Sequence, residues 1–155
     1  MALLIMNLGC DQVSKEIARN SLDYHRPVEV FGDFLSLIKI ENTGAFLSLG
    51  YNWPEWIRLA LLHIIPVIFL IAGCYFLFTN RKMSFMMACG LGFILGGGIG
   101  NMIDRLIYGS VTDFLHMDLF VFQTGIFNLA DVSIMTGVVL MILDQLIQRP
   151  EAVPS

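Results

Sequence analysis

The chain has 155 residues and a net charge of −4, and it is 56% hydrophobic but only 14% charged, with a mean hydropathy of +0.72. Soluble domains hold about 25% charged residues, so this composition excludes an ordinary water-soluble domain and points to a single integral-membrane domain over the whole chain. No basic patch is present, which excludes a nucleic-acid partner.

Residues 1–22 begin apolar and then acquire Asp11, Lys15, Glu16 and Arg19. A cleaved secretory signal needs a basic region ahead of its apolar core, and none is present, so the stretch reads as a first spanning helix. Asp11 and Lys15 stand four apart on one helix face, either as a structural ion pair near the helix end or as shapers of a site. Residues 23–55 mix β-branched and aromatic side chains in partial alternation, punctuated at Gly32-Asp33 and at Asn42-Thr43-Gly44. A small β-element is expected at about 28–50, outside the bilayer and resting on it. Asn42 and Gly44 form an ordinary turn, or place an amide donor near a carboxylate. Pro54 suits a helix start, and Trp53 and Trp56 suit an interfacial belt.

Residues 59–80 contain no Asp, Glu, Lys or Arg, which predicts a span at about 57–79, kinked by Pro66. His63 has no acid in the same segment and reads as a neutral, satisfied packing histidine. After the basic break Asn80-Arg81-Lys82, a third span is expected at about 84–107. Within it Gly92, Gly96 and Gly100 recur every four residues, a smooth stripe for close helix packing. At its far end Asn101 and Arg105 share a face, with Asp104 one step round. Asp104-Arg105 reads as an anchor snorkelling to the headgroups, or Arg105 supports a site. Residues 108–126 read as a loop, and a fourth span follows at about 127–147 with Asn128 and Asp131 near its start. Asp144, at the opposite end, reads as a solvated cap. Cys10, Cys74 and Cys89 sit in apolar runs without CxxC or histidine spacing, as buried hydrophobes rather than a disulfide or zinc framework.

The expected fold is therefore a membrane all-α protein of four transmembrane helices, with a small extracytoplasmic β-element between helices 1 and 2. Arg81, Lys82 and Arg149 make the side holding both termini cytoplasmic. Asp113 and Asp131 then meet near the outer leaflet, each at the outer end of its helix. Ionisable groups in hydrocarbon cost roughly 2.5 to 3.5 kcal/mol, so acids retained there are read as functional. Two aspartates close together at low dielectric cannot both ionise, and the pair shares one proton. One member can then take a proton from water while the other polarises an amide carbonyl. No GxSxG, HExxH or Cys-His-Asn alternative is present. Two other classes compete: a proton-coupled transporter or channel component using the same acids, and a non-catalytic scaffold in which they cap helices.

The stretches GGGIGNMIDRLIYGSVTDF and FNLADVSI resemble the bacterial lipoprotein signal peptidase (signal peptidase II) family, intramembrane aspartic proteases with four transmembrane helices. DQVSK, from Asp11 to Lys15, is similar to the family's D-x-x-[ST]-K. NTGAFLS, from Asn42 to Ser48, is similar to N-x-G-A-A-F-S, with Phe46 for the second alanine and Leu47 after it. The resemblance covers nearly the whole chain, with an N-terminus shorter than is usual. It implies that Asp113 and Asp131 are the catalytic dyad and that Asn101, Arg105 and Asn128 support or line the site. Asn42 and Gly44 match the family's external β-cradle, and Asp11 and Lys15 its structural pair. It further implies a diacylglyceryl-modified prolipoprotein substrate cut before the lipidated cysteine, no metal or other cofactor, and a location in the bacterial inner membrane among its lipids. A monomer is expected, since no soluble interface is evident.

Overall fold

The computed structural model of the chain describes residues 1–32, 34–44 and 52–148. Asp33, the Ala45 to Ser48 part of NTGAFLS and Arg149 lie outside the described residues. Four helices, α1 (Ala2–Ser21), α2 (Glu55–Thr79), α3 (Phe85–Tyr108) and α4 (Leu129–Ile147), are joined by strands β1 (Val28–Phe31), β2 (Leu35–Asn42) and β3 (Val111–Met117). Among the described residues three helices, α2, α3 and α4, are long and apolar enough to cross a membrane.

Helix α3 is the centre of the bundle, with half of its apolar window buried against 6% for α2 and 22% for α4. Its glycines are the reason. A Cβ on Gly96 would stand 2.9 Å from Asn7 Cβ and 3.2 Å from the Leu4 carbonyl oxygen, so the predicted stripe receives α1. A Cβ on Gly97 would run into the Ala130 carbonyl oxygen, so the next face round receives α4. Ser84 starts the helix by accepting the Met87 amide at 2.9 Å, and Gly109 ends it at φ 74°. The Ser84 hydroxyl also donates to Asp144 Oδ1 at 2.5 Å. Asp144 is therefore buried against the start of α3, not a solvated cap; its partner lies 60 residues earlier, where local pattern cannot reveal it.

Where a kink is expected at Pro66, the helix carries a π turn over Ala60–Ile64. Pro66 offers no N–H to the Leu62 carbonyl and its ring presses on it, and widening the preceding turn relieves both. His63 sits in that turn with a buried Nδ1 that has no partner among the described residues, so it is a packing histidine but not a satisfied one. Cys10 is exposed and Cys74 and Cys89 are half-buried; all three are free thiols, less buried than their apolar context suggests.

The sheet has the order β1-β2-β3, antiparallel throughout. Residues 108–126 are thus not simply a loop, because β3 completes the sheet begun between α1 and α2. Strand β2 pairs with it in the register Ile40↔Asp113, Glu41↔Thr112 and Asn42↔Val111. Asp113 accordingly stands on a strand and not at a helix end.

Candidate active site

Helix α4 opens with a reciprocal cap. Asn128 Oδ1 accepts the Asp131 amide at 3.0 Å, and Asp131 Oδ2 accepts the Asn128 amide at 3.2 Å. The capping reading of Asp131 is therefore right as far as it goes. With its oxygen committed, the Asn128 side chain must turn its NH2 group outward, and it donates to Asp113 Oδ1 at 2.6 Å. One asparagine thus touches both aspartates.

Two more asparagines are set by the same logic. At the end of β2, Asn42 Oδ1 accepts the Gly44 amide at 2.9 Å, so its NH2 faces Asp113 Oδ2, also at 2.9 Å. On α3, Asn101 Oδ1 accepts from the donor-only Lys15 Nζ at 2.7 Å, so its NH2 reaches Asp131 Oδ1 at 3.0 Å. Each amide is oriented from behind and aimed at a carboxylate. Arg105 completes the edge by donating to the Gly44 carbonyl at 3.2 Å.

Asp113 and Asp131 line one cavity of about 350 Å³ together with Asn42, Asn101 and Arg105, while Leu62, Pro66, Met102, Ile134 and Met135 form its apolar remainder. Burial pushes the Asp113 carboxyl up to about 6. The amides of Asn42 and Asn128 and the charge of Lys15 oppose that rise, and the charge of Asp131 adds to it. Desolvation wins because three neutral or distant donors cannot replace bulk water. Among the described residues no group of His, Cys, Asp and Glu is placed to hold a metal ion.

A family model described as signal peptidase (SPase) II matches residues 3–147. The chain belongs to the signal peptidase II family. It is 38% identical over 140 residues to the lipoprotein signal peptidase of Aquifex aeolicus (strain VF5), covering 90% of this chain and 81% of the relative. The corresponding protein of Acinetobacter baylyi is 34% identical over 160 residues, covering 97% of this chain and 87% of the relative. Among solved structures, a bacterial membrane enzyme superposes with a TM-score of 0.84 at 28% identity, over 99% of this chain and 93% of that one. Membership in the signal peptidase II family makes this chain a protease, and its apolar helices and membrane-enzyme neighbours make it a multi-pass membrane protein.

Behind the candidate site of this signal peptidase II family member lies a buried ionic layer. Lys15, 0% exposed, sits 2.9 Å from Asp11 Oδ2 and 3.2 Å from Asp104 Oδ2. The other Asp11 oxygen accepts the Ala130 amide at 2.9 Å, tying α1 to the turn that carries Asn128 and Asp131. Asp11 and Lys15 thus pair as expected, and the pair also reaches the site through Asn101 and α4. Asp104 does not snorkel to headgroups; it is 0% exposed, because Lys15 and Arg19 from α1 neutralise it. Gln12, Arg19, Glu41 and Thr112 were not singled out from sequence. A signal existed for one of them, since Asp11, Lys15 and Arg19 recur every four residues on one helix face.

Proposed function

We propose that the chain is an intramembrane aspartic endopeptidase that removes the signal peptide from diacylglyceryl-modified prolipoproteins, cutting before the lipidated cysteine. The observation that carries this reading is Asn128, which hydrogen-bonds Asp113 and caps Asp131, the two acids that line one cavity walled by membrane-type helices. The ionised member of the pair takes a proton from water, and the resulting hydroxide adds to the scissile carbonyl, whose oxygen the protonated member polarises. Collapse of the tetrahedral adduct breaks the C–N bond, and a proton from the dyad passes to the departing amine of the cysteine residue. The titration belongs to the pair, so the two acids exchange roles through the cycle.

The whole chain forms one membrane domain in this reading, with α1 as a fourth span. Twenty residues reach about 30 Å, and the exposed side of α1 is apolar at Ile5, Met6, Val13 and Ile17, while Asp11 and Lys15 are turned inward. Arg81 and Lys82 support a reading in which the α2–α3 connection and both termini are cytoplasmic and the sheet and the dyad lie at the outer leaflet of the inner membrane. The protein acts as a monomer among membrane lipids, without metal or other cofactor.

The test is a synthetic lipobox peptide, with and without diacylglyceryl on its cysteine, offered to the purified protein in detergent with excess EDTA. Cleavage on the N-terminal side of the modified cysteine alone is expected. Loss of activity to the chelator, or equal cleavage of the unmodified peptide, sinks the reading.

The pH profile gives a second check. Activity requires the pair to hold one proton, so it falls as pH rises through the upper pKa of the dyad. That limb should lie at or above about 6, where Asp113 sits in the free protein. Asn42 stabilises the ionised form of Asp113, so Asn42→Ala should move the alkaline limb of kcat/KM to higher pH. A limb that moves down, or stays in place, contradicts this role.

A further inference from the structure

We propose that Arg19, Thr112 and Glu41 form a clamp on the back of the sheet that positions the strand carrying Asp113. None of the three lines the cavity, so they are positioning residues. The inference rests on the reading of Asp113 as a catalytic acid.

Strand alternation separates two sets of side chains. Asn42 and Asp113 share the face that meets the cavity, and Glu41 and Thr112, paired directly across the strands, share the opposite face. On that back face Thr112, 0% exposed, has its hydroxyl oxygen 2.9 Å from Arg19 Nε, which donates to it. The hydroxyl proton is thereby left to the Glu41 carboxylate, with Oε1 at 3.1 Å and Oε2 at 3.4 Å. Glu41 also accepts from the Ser110 hydroxyl at 2.6 Å. The residues immediately beside both in-site groups are thus pinned by partners that never touch the carboxylates.

Arg19 links this clamp to the helices. Its Nη2 stands 2.9 Å from Asp104 Oδ1, an ion pair not aligned as a hydrogen bond, and Asp104 Oδ2 accepts the Thr112 amide at 3.2 Å. The guanidinium lies over the Tyr108 ring, 4.0 Å from its centroid. Asp104 and Tyr108 precede the Gly109 turn and Thr112 follows it, so one side chain bridges both sides of the joint between α3 and β3. A lysine keeps the charge, but its one nitrogen offers neither the fixed spacing of the fork that meets Thr112 and Asp104 nor the flat face that lies over Tyr108. A misplacement of about 1 Å can cost about a hundredfold in rate, so a partly loosened strand should cost about tenfold.

The experiment compares Thr112→Val, Arg19→Gln, Arg19→Lys and the double Arg19→Gln/Thr112→Val with the unsubstituted chain, using the diacylglyceryl peptide in detergent and a thermal transition in the same micelles. We expect kcat to fall about tenfold in both single removals with KM within about twofold, because the substrate-lining groups remain. The double variant should be no worse than the poorer single, and Arg19→Lys should recover less than half of the loss. Thr112→Val deletes one hydroxyl only, so it reports even where an arginine variant folds poorly. A kcat within twofold of the unsubstituted chain, a loss confined to KM, a loss that follows the unfolded fraction, or full rescue by lysine would each overturn the clamp. If the unsubstituted chain leaves the peptide intact, the function reading falls first; if it cuts and the variants match it, the clamp alone falls.

Discussion

Asp113→Asn is expected to leave a folded protein whose processing of lipidated prolipoprotein drops by roughly a thousandfold, within the range a positioned acid–base group contributes. Asp131→Asn should do the same, since neither amide can exchange the shared proton. Turnover retained in both variants would remove the dyad from the mechanism. Asp113→Asn carries a second signature, in stability. The native carboxyl titrates at about 6 against an ordinary value of 3.8, so the folded state disfavours its ionisation, and stability is lost as pH rises from about 4 through about 6. That difference amounts to about 3 kcal/mol at pH 8. Asparagine avoids the charge but points an NH2 group at the amide of Asn42 or Asn128, which costs about 1 to 2 kcal/mol. The variant should therefore melt above the native protein at pH 8 and below it at pH 4. Melting curves that never cross over this interval would show that Asp113 is not held above its ordinary range.

The largest loss of stability should come from Lys15→Met. Lys15 is 0% exposed and neutralises Asp11 and Asp104 at once. Its removal leaves two buried carboxylates with Arg19 on Asp104 as their one remaining cation among the described residues, a situation that costs about 3 to 5 kcal/mol. It also frees the Asn101 amide, whose orientation toward Asp131 depends on Lys15. We expect poor accumulation and a sharply lowered thermal midpoint, partly restored by adding Asp11→Asn. A midpoint within about 2 °C of the native one, less than about 1 kcal/mol for a chain of this size, would mean that the ionic layer is dispensable.

What could be read from the chain, and what could not, divides by distance along it. Three spanning helices were legible because hydrophobic length is a local property, and the glycine stripe because its spacing is periodic. Asn128 and Asp131 were visible as a pair for the same reason. Strand β3 was not, since VTDFLHM shows no clean alternation, with its first four residues all buried, and it becomes a strand only by pairing with β2. Asp104, expected as a headgroup anchor, and Asp144, expected as a solvated cap, are both buried for a related cause. Each looks like an exposed helix-end charge until a partner arrives from another segment: Arg19 and Lys15 for the first, Ser84 for the second. The Arg19–Thr112–Glu41 contacts span three segments and left only the i, i+4, i+8 spacing on α1 as a trace.

Among the described residues, helix α2 has little of its surface against the bundle, with 6% of its apolar window buried. It docks on α3 through small reciprocal fits, Leu95 over Gly73 and Leu70 over Gly98. Lipid tails are as apolar as those leucines, so tilting the helix outward trades one greasy neighbour for another at little hydrophobic cost. Leu61, Leu62 and Pro66 on that helix form a wall of the chamber holding the two acids. The side of the chamber formed by this helix is thus its most loosely held wall, and under the proposed function it is the side on which a lipid-tailed substrate would enter.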